Sequence, residues 1–251
     1  MWFHRKPMLS GSSKSKRNGG QSWTEDSIST SWLRAPPPAG MTPVLLVSTD
    51  ETGNVGPALK GESNFIMGGC IINDVHGFEK ATYDRYEGTE LKFHTHFKLR
   101  DEILIEAEPF VDRVHYVVFN KRAHGWNEKG DKKKLHLDML EALAKSIAKD
   151  YPYHLVDVVI DSTNITGVSS MVRVVMEAFL AEGIVANVAV AESYMDFALQ
   201  TNDFFVGAIG YWLNTPRKKT KEDDDSKHPR NEKYINHFRP KMKRAYYRGD
   251  S

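Results

Sequence analysis

Two aspartates stand directly after apolar runs that are typical of buried strands. Asp50 comes at the end of the sequence VLLVST, and Asp161 comes directly after LVDVVI. Ligands of α/β sheets bind in the crevice outside the carboxyl ends of the strands. Two adjacent parallel strands would therefore bring both carboxylates to one rim of the sheet. The alternative is that each Asp caps a turn, a role that Asp fills well.

A third aspartate lies inside an apolar helical segment, Phe197–Leu213. Asp196, Gln200 and Asp203 are spaced four and then three residues apart, so they share one face of the helix. Because the surrounding residues are apolar, the charge of Asp203 needs a partner, either Lys, Arg or a metal ion. A helix end that emerges into water would explain Asp196 but not Asp203.

Glu90, in the sequence GTELK, is the fourth candidate, although Glu in the first turn of a helix also complements the helix dipole. Clustered carboxylates raise one another's pKa unless a cation neutralises them. A ligand set made only of oxygen atoms suits Mg²⁺ or Mn²⁺. Two such ions can activate a water and stabilise the leaving oxygen in phosphodiester hydrolysis. The residues thus predict a metal site in which Asp50 is the bridging ligand. The nearby Lys92 either pairs with a carboxylate, contacts a phosphate or is simply solvated.

Other chemistries have less support in the sequence. His94 and His96 form a rival metal pair, but no further nearby ligand completes a zinc site. The sequence contains no phosphate-binding GK[ST] loop, no dinucleotide GxGxxG motif and no GxSxG elbow. Cys70 is the only cysteine, which excludes intramolecular disulfides and thiolate clusters and favours a cytoplasmic setting. The apolar stretches are too short to span a bilayer, so we expect no membrane partner.

The hydrophobic periodicity predicts the elements that must position these residues. The expected strands are Pro43–Thr49, Asn64–Asn73, a weaker Gly77–Tyr83, Arg113–Asn120, Tyr153–Ile160 and Ile184–Ala191. The expected helices are Glu90–Ala107, Lys132–Asp150, Gly167–Glu182 and Phe197–Leu213. This order predicts an α/β fold of the ribonuclease H-like class, in which a mixed central sheet (an antiparallel meander plus parallel strands) is covered by helices.

Composition divides the chain into three parts. Residues 1–40 are basic and rich in Ser, Gly and Pro, so we expect them to be disordered; residues 41–214 form the domain. Residues 215–251 are a basic, aromatic-containing tail that we expect to be flexible to about Lys233, with a short helix beyond. Positions 41–213 hold 16 Lys or Arg and 25 Asp or Glu, so an acidic body lies between basic segments. Such a pattern suits a cation-binding body with basic segments that attract a nucleic acid. The alternative is that these charges are ordinary solvated surface.

Several motifs resemble the domain-of-unknown-function 3800 family over about residues 44–213. They are DETG after a buried strand, Gly68-Gly69 in the second strand, Glu90-Leu91-Lys92, the strand-end Asp161 and the helical LQTNDFFVGAI. The resemblance implies a ribonuclease H-like fold with a metal-dependent nuclease site. Carried over to this chain, it implies the catalytic and metal-binding set Asp50, Glu90, Asp161 and Asp203, with Lys92 and Gln200 binding substrate.

The chain departs from that family pattern at two positions, since Thr52 stands where Ser is usual and Asn202 where Ala is usual. Topology raises a further question. In ribonuclease H an acidic residue ends the fourth strand, whereas Asp161 ends the fifth strand predicted here. Asp161 therefore joins Asp50 only if the order of strands in the sheet brings the two together.

Two functions follow from these patterns. The first is a Mg²⁺- or Mn²⁺-dependent nuclease that acts on RNA or DNA. The alternative is a non-catalytic nucleic-acid-binding or interaction module on a ribonuclease H-like fold, with its carboxylates in salt bridges and its basic tail contacting the polyanion. The sequence leaves the oligomeric state open.

Overall fold

A six-stranded sheet forms the centre of the molecule. The computed structural model describes residues 44–57, 63–75, 77, 78, 80, 81, 91–96, 98–127, 129–152, 155–215 and 232–247. The strands are β1 (Val44–Thr52), β2 (Asn64–Ile72), β3 (Val111–Asn120), β4 (Leu155–Asp161), β5 (Ala186–Ala191) and β6 (Met242–Ala245). Their order across the sheet is β5-β4-β1-β2-β3-β6.

The directions of the strands combine two kinds of pairing. β1, β2 and β3 form an antiparallel meander, while β4 runs parallel to β1 and β5 runs parallel to β4. β6 runs parallel to β3 at the other edge. This arrangement confirms the predicted fold class, a ribonuclease H-like mixed sheet covered by helices.

Helices cover both faces of the sheet. They are α1 (Arg100–Ala107), α2 (Lys132–Asp150), α3 (Val168–Leu180) and α4 (Phe197–Asn214). The observed α2 has the predicted bounds because its apolar residues recur at helical spacing and Asp131 caps its first turn by accepting from the Lys134 N–H at 2.9 Å. α4 packs on one face and α2 and α3 on the other, which gives two apolar clusters. No described helix is long and apolar enough to cross a membrane.

The predicted strand Gly77–Tyr83 is wrong, because the described residues there (77, 78, 80 and 81) are helical. Asp74 explains the difference. Its carboxylate accepts from the Gly77 N–H at 2.8 Å, and its carbonyl accepts from the Phe78 N–H, as a helix cap does. Without that strand, the strand that ends in Asp161 is the fourth, and it lies beside β1. The topological question about Asp161 is thereby answered.

The predicted helix Glu90–Ala107 also begins later, at Arg100. Residues 91–96 form turns, in which Leu91 and Phe93 are buried and the alternate residues Lys92 and His94 are exposed. Backbone N–H groups of this segment are bonded to side chains of α4, as described below. The helical spacing of Leu99, Ile103 and Ala107 was therefore informative only for the second half of the predicted element.

The end of the C-terminal segment, where the sequence predicted a short helix beyond Lys233, belongs to the fold. Residues 232–247 contain two short 3₁₀ turns (Ile235–His237 and Arg239–Lys241) and the strand β6, which the sequence did not predict. Ile235 and Phe238 are fully buried in the cluster under α4. The domain therefore extends beyond residue 214, and the assignment of residues 215–251 to a separate tail is corrected for residues 232–247.

The two adjacent glycines of β2 let helices approach the sheet closely on both faces. A Cβ at Gly68 would lie 2.5 Å from Val206 Cγ2 of α4, and one at Gly69 would lie 3.2 Å from Ile147 Cδ1 of α2. Because α4 carries Asp203, the clearance at Gly68 sets how near that carboxylate lies to β1.

We expect Gly68→Ala to lower the free energy of unfolding by about 1–3 kcal/mol, since the added methyl group overpacks a well-filled contact with a stiff β-branched side chain. Urea denaturation measures this loss. Gly69→Ala is the matched control, because its neighbour is the flexible end of an isoleucine, and its loss should be smaller. Equal losses at the two positions would contradict this account of α4 packing.

Candidate metal centre

Asp50 and Asp161 lie side by side at the carboxyl end of two parallel strands. Thr49 pairs with Ile160 in the register of β1 with β4, so the next residue of each strand is level with the other. Both side chains lie on the face of the sheet that α4 covers, since side chains alternate along a strand and Leu46 and Val159 belong to that cluster. Asp50 is 7% exposed, while Asp161 is half-buried. The strand order thus satisfies the condition for Asp161 to join Asp50.

Asp203 reaches the same place from α4. Its Oδ2 atom accepts a hydrogen bond from the Phe93 backbone N–H at 2.6 Å, which fixes the carboxylate against the segment 91–96. One turn earlier on α4, Gln200 Oε1 accepts from the Leu91 N–H at 2.8 Å. These two bonds anchor alternate residues of the segment to one face of α4 and leave Lys92 between them.

The charges of Asp203 and Asp161 both act on Asp50, so these two carboxylates lie near it. Burial raises the pKa of Asp50 well above its usual value, and the negative charges of Asp203, Asp161 and Glu51 raise it further. Burial likewise raises the pKa of Asp161 to about 6, with Glu51 as the next cause and Lys92 opposing it. Burial also raises the pKa of Asp203, against the Phe93 N–H and the charges of His94, Lys92 and Arg100. Within the described residues, no Lys or Arg forms a salt bridge with any of the three aspartates.

The raised pKa values predict how stability depends on pH without metal. The folded protein holds protons on these carboxyls at a pH where the unfolded chain has lost them, so stability falls as pH rises through the folded pKa. The lowered pKa of His115, about 4 because of burial, acts in the opposite direction over the same pH range, so the test compares two proteins. We expect the Tm of the metal-free wild-type protein, relative to that of Asp161→Asn, to fall between about pH 4, the unfolded pKa, and about pH 7, above the pKa of about 6 for Asp161. Thermal denaturation of both proteins in a chelating buffer measures this difference. A difference that rises over this range would contradict the assignment.

The other predicted residues have different positions. Lys92 is exposed beside Asp161 and Asp203, and its ammonium donates to Ser193 Oγ at 3.1 Å. Gln200 is 2% exposed and bonded to a backbone N–H, so its placement suits holding the segment rather than contacting substrate. Glu90 lies outside the described residues. Asp196 is the N-cap of α4, where it accepts from the Leu199 N–H at 3.0 Å.

Asn202 and Thr52, the two residues that depart from the family pattern, both make contacts between α4 and the sheet. Asn202 is fully buried, and its Nδ2 donates to the carbonyl of Gly68, the β2 residue that pairs with Asp50, at 3.4 Å. The larger Asn side chain therefore ties α4 to the sheet. Thr52 is 7% exposed and faces Gly210 of α4, where a Cβ would lie 2.6 Å from its Cγ2.

Sequence reasoning missed Glu51. The carboxylate of Glu51 raises the pKa of both Asp50 and Asp161, and its Oε2 lies 3.4 Å from Nε2 of the fully buried His136 of α2. The other ring nitrogen of His136 is 3.1 Å from Thr166 Oγ1. Glu51 stands next to Asp50 in the sequence, but alternation along a strand predicts that its side chain faces away from that of Asp50. The contact with His136 joins distant parts of the chain, so it leaves no local signal in the sequence.

The three aspartates fit a divalent cation by their chemistry. They supply only carboxylate oxygens, Asp50 is buried without a cationic partner among the described residues, and hard divalent cations prefer such ligands. In the described part of the chain, no three His, Cys, Asp or Glu side chains are grouped closely enough to hold an ion as they stand. His94 is exposed and His96 is half-buried, and His96 Nδ1 accepts from the Lys92 N–H at 3.0 Å.

Comparison with known proteins gives likenesses in structure. No protein-family model matches the chain, and no curated protein matches it. A solved chain from the structure described as "Structure of the PCNA:RNase HII complex from Archaeoglobus fulgidus" is similar, with 12% identity and a TM-score of 0.45. The likeness covers 71% of this chain and 83% of that chain. The fold class given above follows from the order and directions of the strands.

Proposed function

We propose that this protein is a divalent-metal-dependent nuclease that hydrolyses phosphodiester bonds at Asp50, Asp161 and Asp203. The observation that carries the proposal is that Asp161 of β4 and Asp203 of α4 lie near enough to the buried Asp50 of β1 for their charges to raise its pKa. Three like charges around a buried position are costly, and a divalent cation would remove that cost. The proposal also includes membership of the domain-of-unknown-function 3800 family and a cytoplasmic setting.

Each residue has a role that follows from its position. Asp50, Asp161 and Asp203 would hold Mg²⁺ or Mn²⁺, with Asp50 between the other two. Glu90 lies outside the described residues and would be the fourth ligand on the family resemblance alone. Such ions activate a water for attack and stabilise the leaving oxygen. Lys92 is the exposed cation beside the carboxylates, so its ammonium would bind a phosphate oxygen of the substrate. Gln200 would keep Lys92 in place through the Leu91 N–H.

Cleavage of a labelled RNA and a labelled DNA oligonucleotide in the presence of Mn²⁺ tests the proposal. Asp203→Asn should abolish cleavage, because the amide keeps an acceptor for the Phe93 N–H but loses the charge. Asp157→Asn is the matched control. Asp157 is as buried as Asp50, but its carboxylate accepts from Asn187 Nδ2 at 3.2 Å. Binding of both oligonucleotides without Mn²⁺-dependent cleavage would instead support the non-catalytic module.

A further inference from the structure

A second surface lies at the same edge of the sheet as the aspartates. β3 and β6 run parallel to β1, so the carboxyl ends of all three strands meet at that edge. β3 is two strands away from β1, which is about 10 Å at the usual strand spacing. α2 begins at this edge and ends at the opposite one, where Asp150 accepts from Arg113 of β3 at 3.0 Å.

The first turn of α2 breaks a local rule of helix stability. It contains Lys132, Lys133 and Lys134 and no acidic residue, although the helix dipole makes this end positive. All three lysines are exposed. Lys132 lies one turn before His136, whose ring contacts Glu51 beside Asp50. Residues that break a local rule without a structural gain are often functional, and an anion placed there would interact favourably with both the lysines and the dipole.

Further cations surround this helix end. Arg122 and Lys129 follow β3, and Arg244 is in β6; all three are exposed. Three acidic residues accompany them in the described part of the chain: Asp131 caps α2, Asp138 pairs with Lys134 at 2.5 Å, and Glu141 lines a groove with Lys134 and Arg244. The six cations outnumber these three carboxylates, so the net charge of this surface is positive. We call this surface the cationic ridge, defined as Arg122, Lys129, Lys132, Lys133, Lys134 and Arg244.

Aromatic rings lie among these charges. Tyr246 is 71% exposed, and the Arg244 guanidinium is 5.2 Å from the centre of its ring. Nearby, His124 stacks on the buried Phe119 at 4.8 Å, and Tyr247 meets both rings edge-on. Exposed rings between cations are the combination that binds single-stranded nucleic acids, since the bases stack and the phosphates pair with Lys and Arg.

We propose that the cationic ridge binds a single nucleic-acid strand beyond the bond that is cut. Phosphates would lie against the first turn of α2, and a base would stack on Tyr246. The position of the cleaved bond at the aspartates rests on the proposed function. Binding to the ridge needs no metal, so the two can be tested separately.

The test measures fluorescence anisotropy of a labelled single-stranded uridine oligonucleotide with the full chain in EDTA, over a range of salt concentrations. We expect Lys132→Ala/Lys133→Ala to weaken binding about tenfold at low salt. The slope of log affinity against log salt should fall by about 1.4, which is two phosphate contacts on a single strand. The same variant should have an equal or higher Tm, because it removes cations from the positive end of a helix.

The matched control, Arg113→Ala/Arg173→Ala, removes two exposed cations away from the ridge. Arg113 is near the start of β3, at the opposite edge of the sheet, where it pairs with Asp150 at the end of α2. We expect the control to keep the wild-type affinity and slope. A third variant, Tyr246→Ala, should bind the oligonucleotide more weakly. Its affinity for inorganic polyphosphate, which is measured by competition, should equal that of the wild-type chain. Equal weakening by the two double variants, or no binding by the wild-type chain, would overturn the proposal.

Discussion

Replacing Asp50 with Asn should lower Mn²⁺-dependent cleavage by about 1,000-fold and raise the Tm of the metal-free protein at neutral pH. The first effect corresponds to about 4 kcal/mol of lost transition-state stabilisation, within what a bound metal supplies. The second follows because burial and three neighbouring carboxylates make the charged form of Asp50 unfavourable, and the amide has the shape of the acid without its charge.

The opposite signs of these two effects make the result specific. A variant that lost activity by misfolding would have a lower Tm, so the pair of measurements separates loss of a ligand from loss of structure. The gain in Tm should also shrink as the pH is lowered, because Asp50 in the wild-type protein then becomes neutral. Loss of both activity and stability would contradict the role given to Asp50.

Replacing Phe238 with Ala should cost about 3–5 kcal/mol of unfolding free energy, as truncation of a buried Phe does. The ring is fully buried in the cluster under α4, where it meets Phe205 edge-on with 4.8 Å between ring centres. Phe205 is two residues beyond Asp203, so the loss would also loosen the helix that carries this ligand. Urea denaturation measures the cost.

Asn236→Ala is the control for this change, because Asn236 is exposed in the same short segment. We expect its effect to be within about 0.5 kcal/mol. If Phe238→Ala were as mild as Asn236→Ala, residues 232–247 would not be part of the folded domain.

Local patterns in the sequence were sufficient for the elements whose apolar residues recur regularly. α2 has its predicted bounds because its apolar face repeats over 19 residues and Asp131 caps it. Asp50 and Asp161 were predicted as site residues because a charge directly after an apolar strand is a local signal. Asp203 was predicted because it stands directly before a long apolar run, FFVGAI, in its helix.

The parts that the sequence did not predict depend on contacts between distant segments. β6 has only four residues, and its pairing with β3, about 130 residues earlier, makes it a strand. The residues after Asp74 were read as a strand because the cap that starts a helical turn there leaves little trace in the apolar pattern. Glu51 was missed because the contact with His136 spans 85 residues.

Calorimetric titration with Mn²⁺ tests the central claim most directly, because it measures the metal site without needing a substrate. The account predicts that the wild-type protein and Asp157→Asn bind Mn²⁺ with equal affinity, and that Asp50→Asn loses this binding. Full affinity in Asp50→Asn, or no binding by the wild-type protein, would contradict the assignment of Asp50, Asp161 and Asp203 as a metal centre.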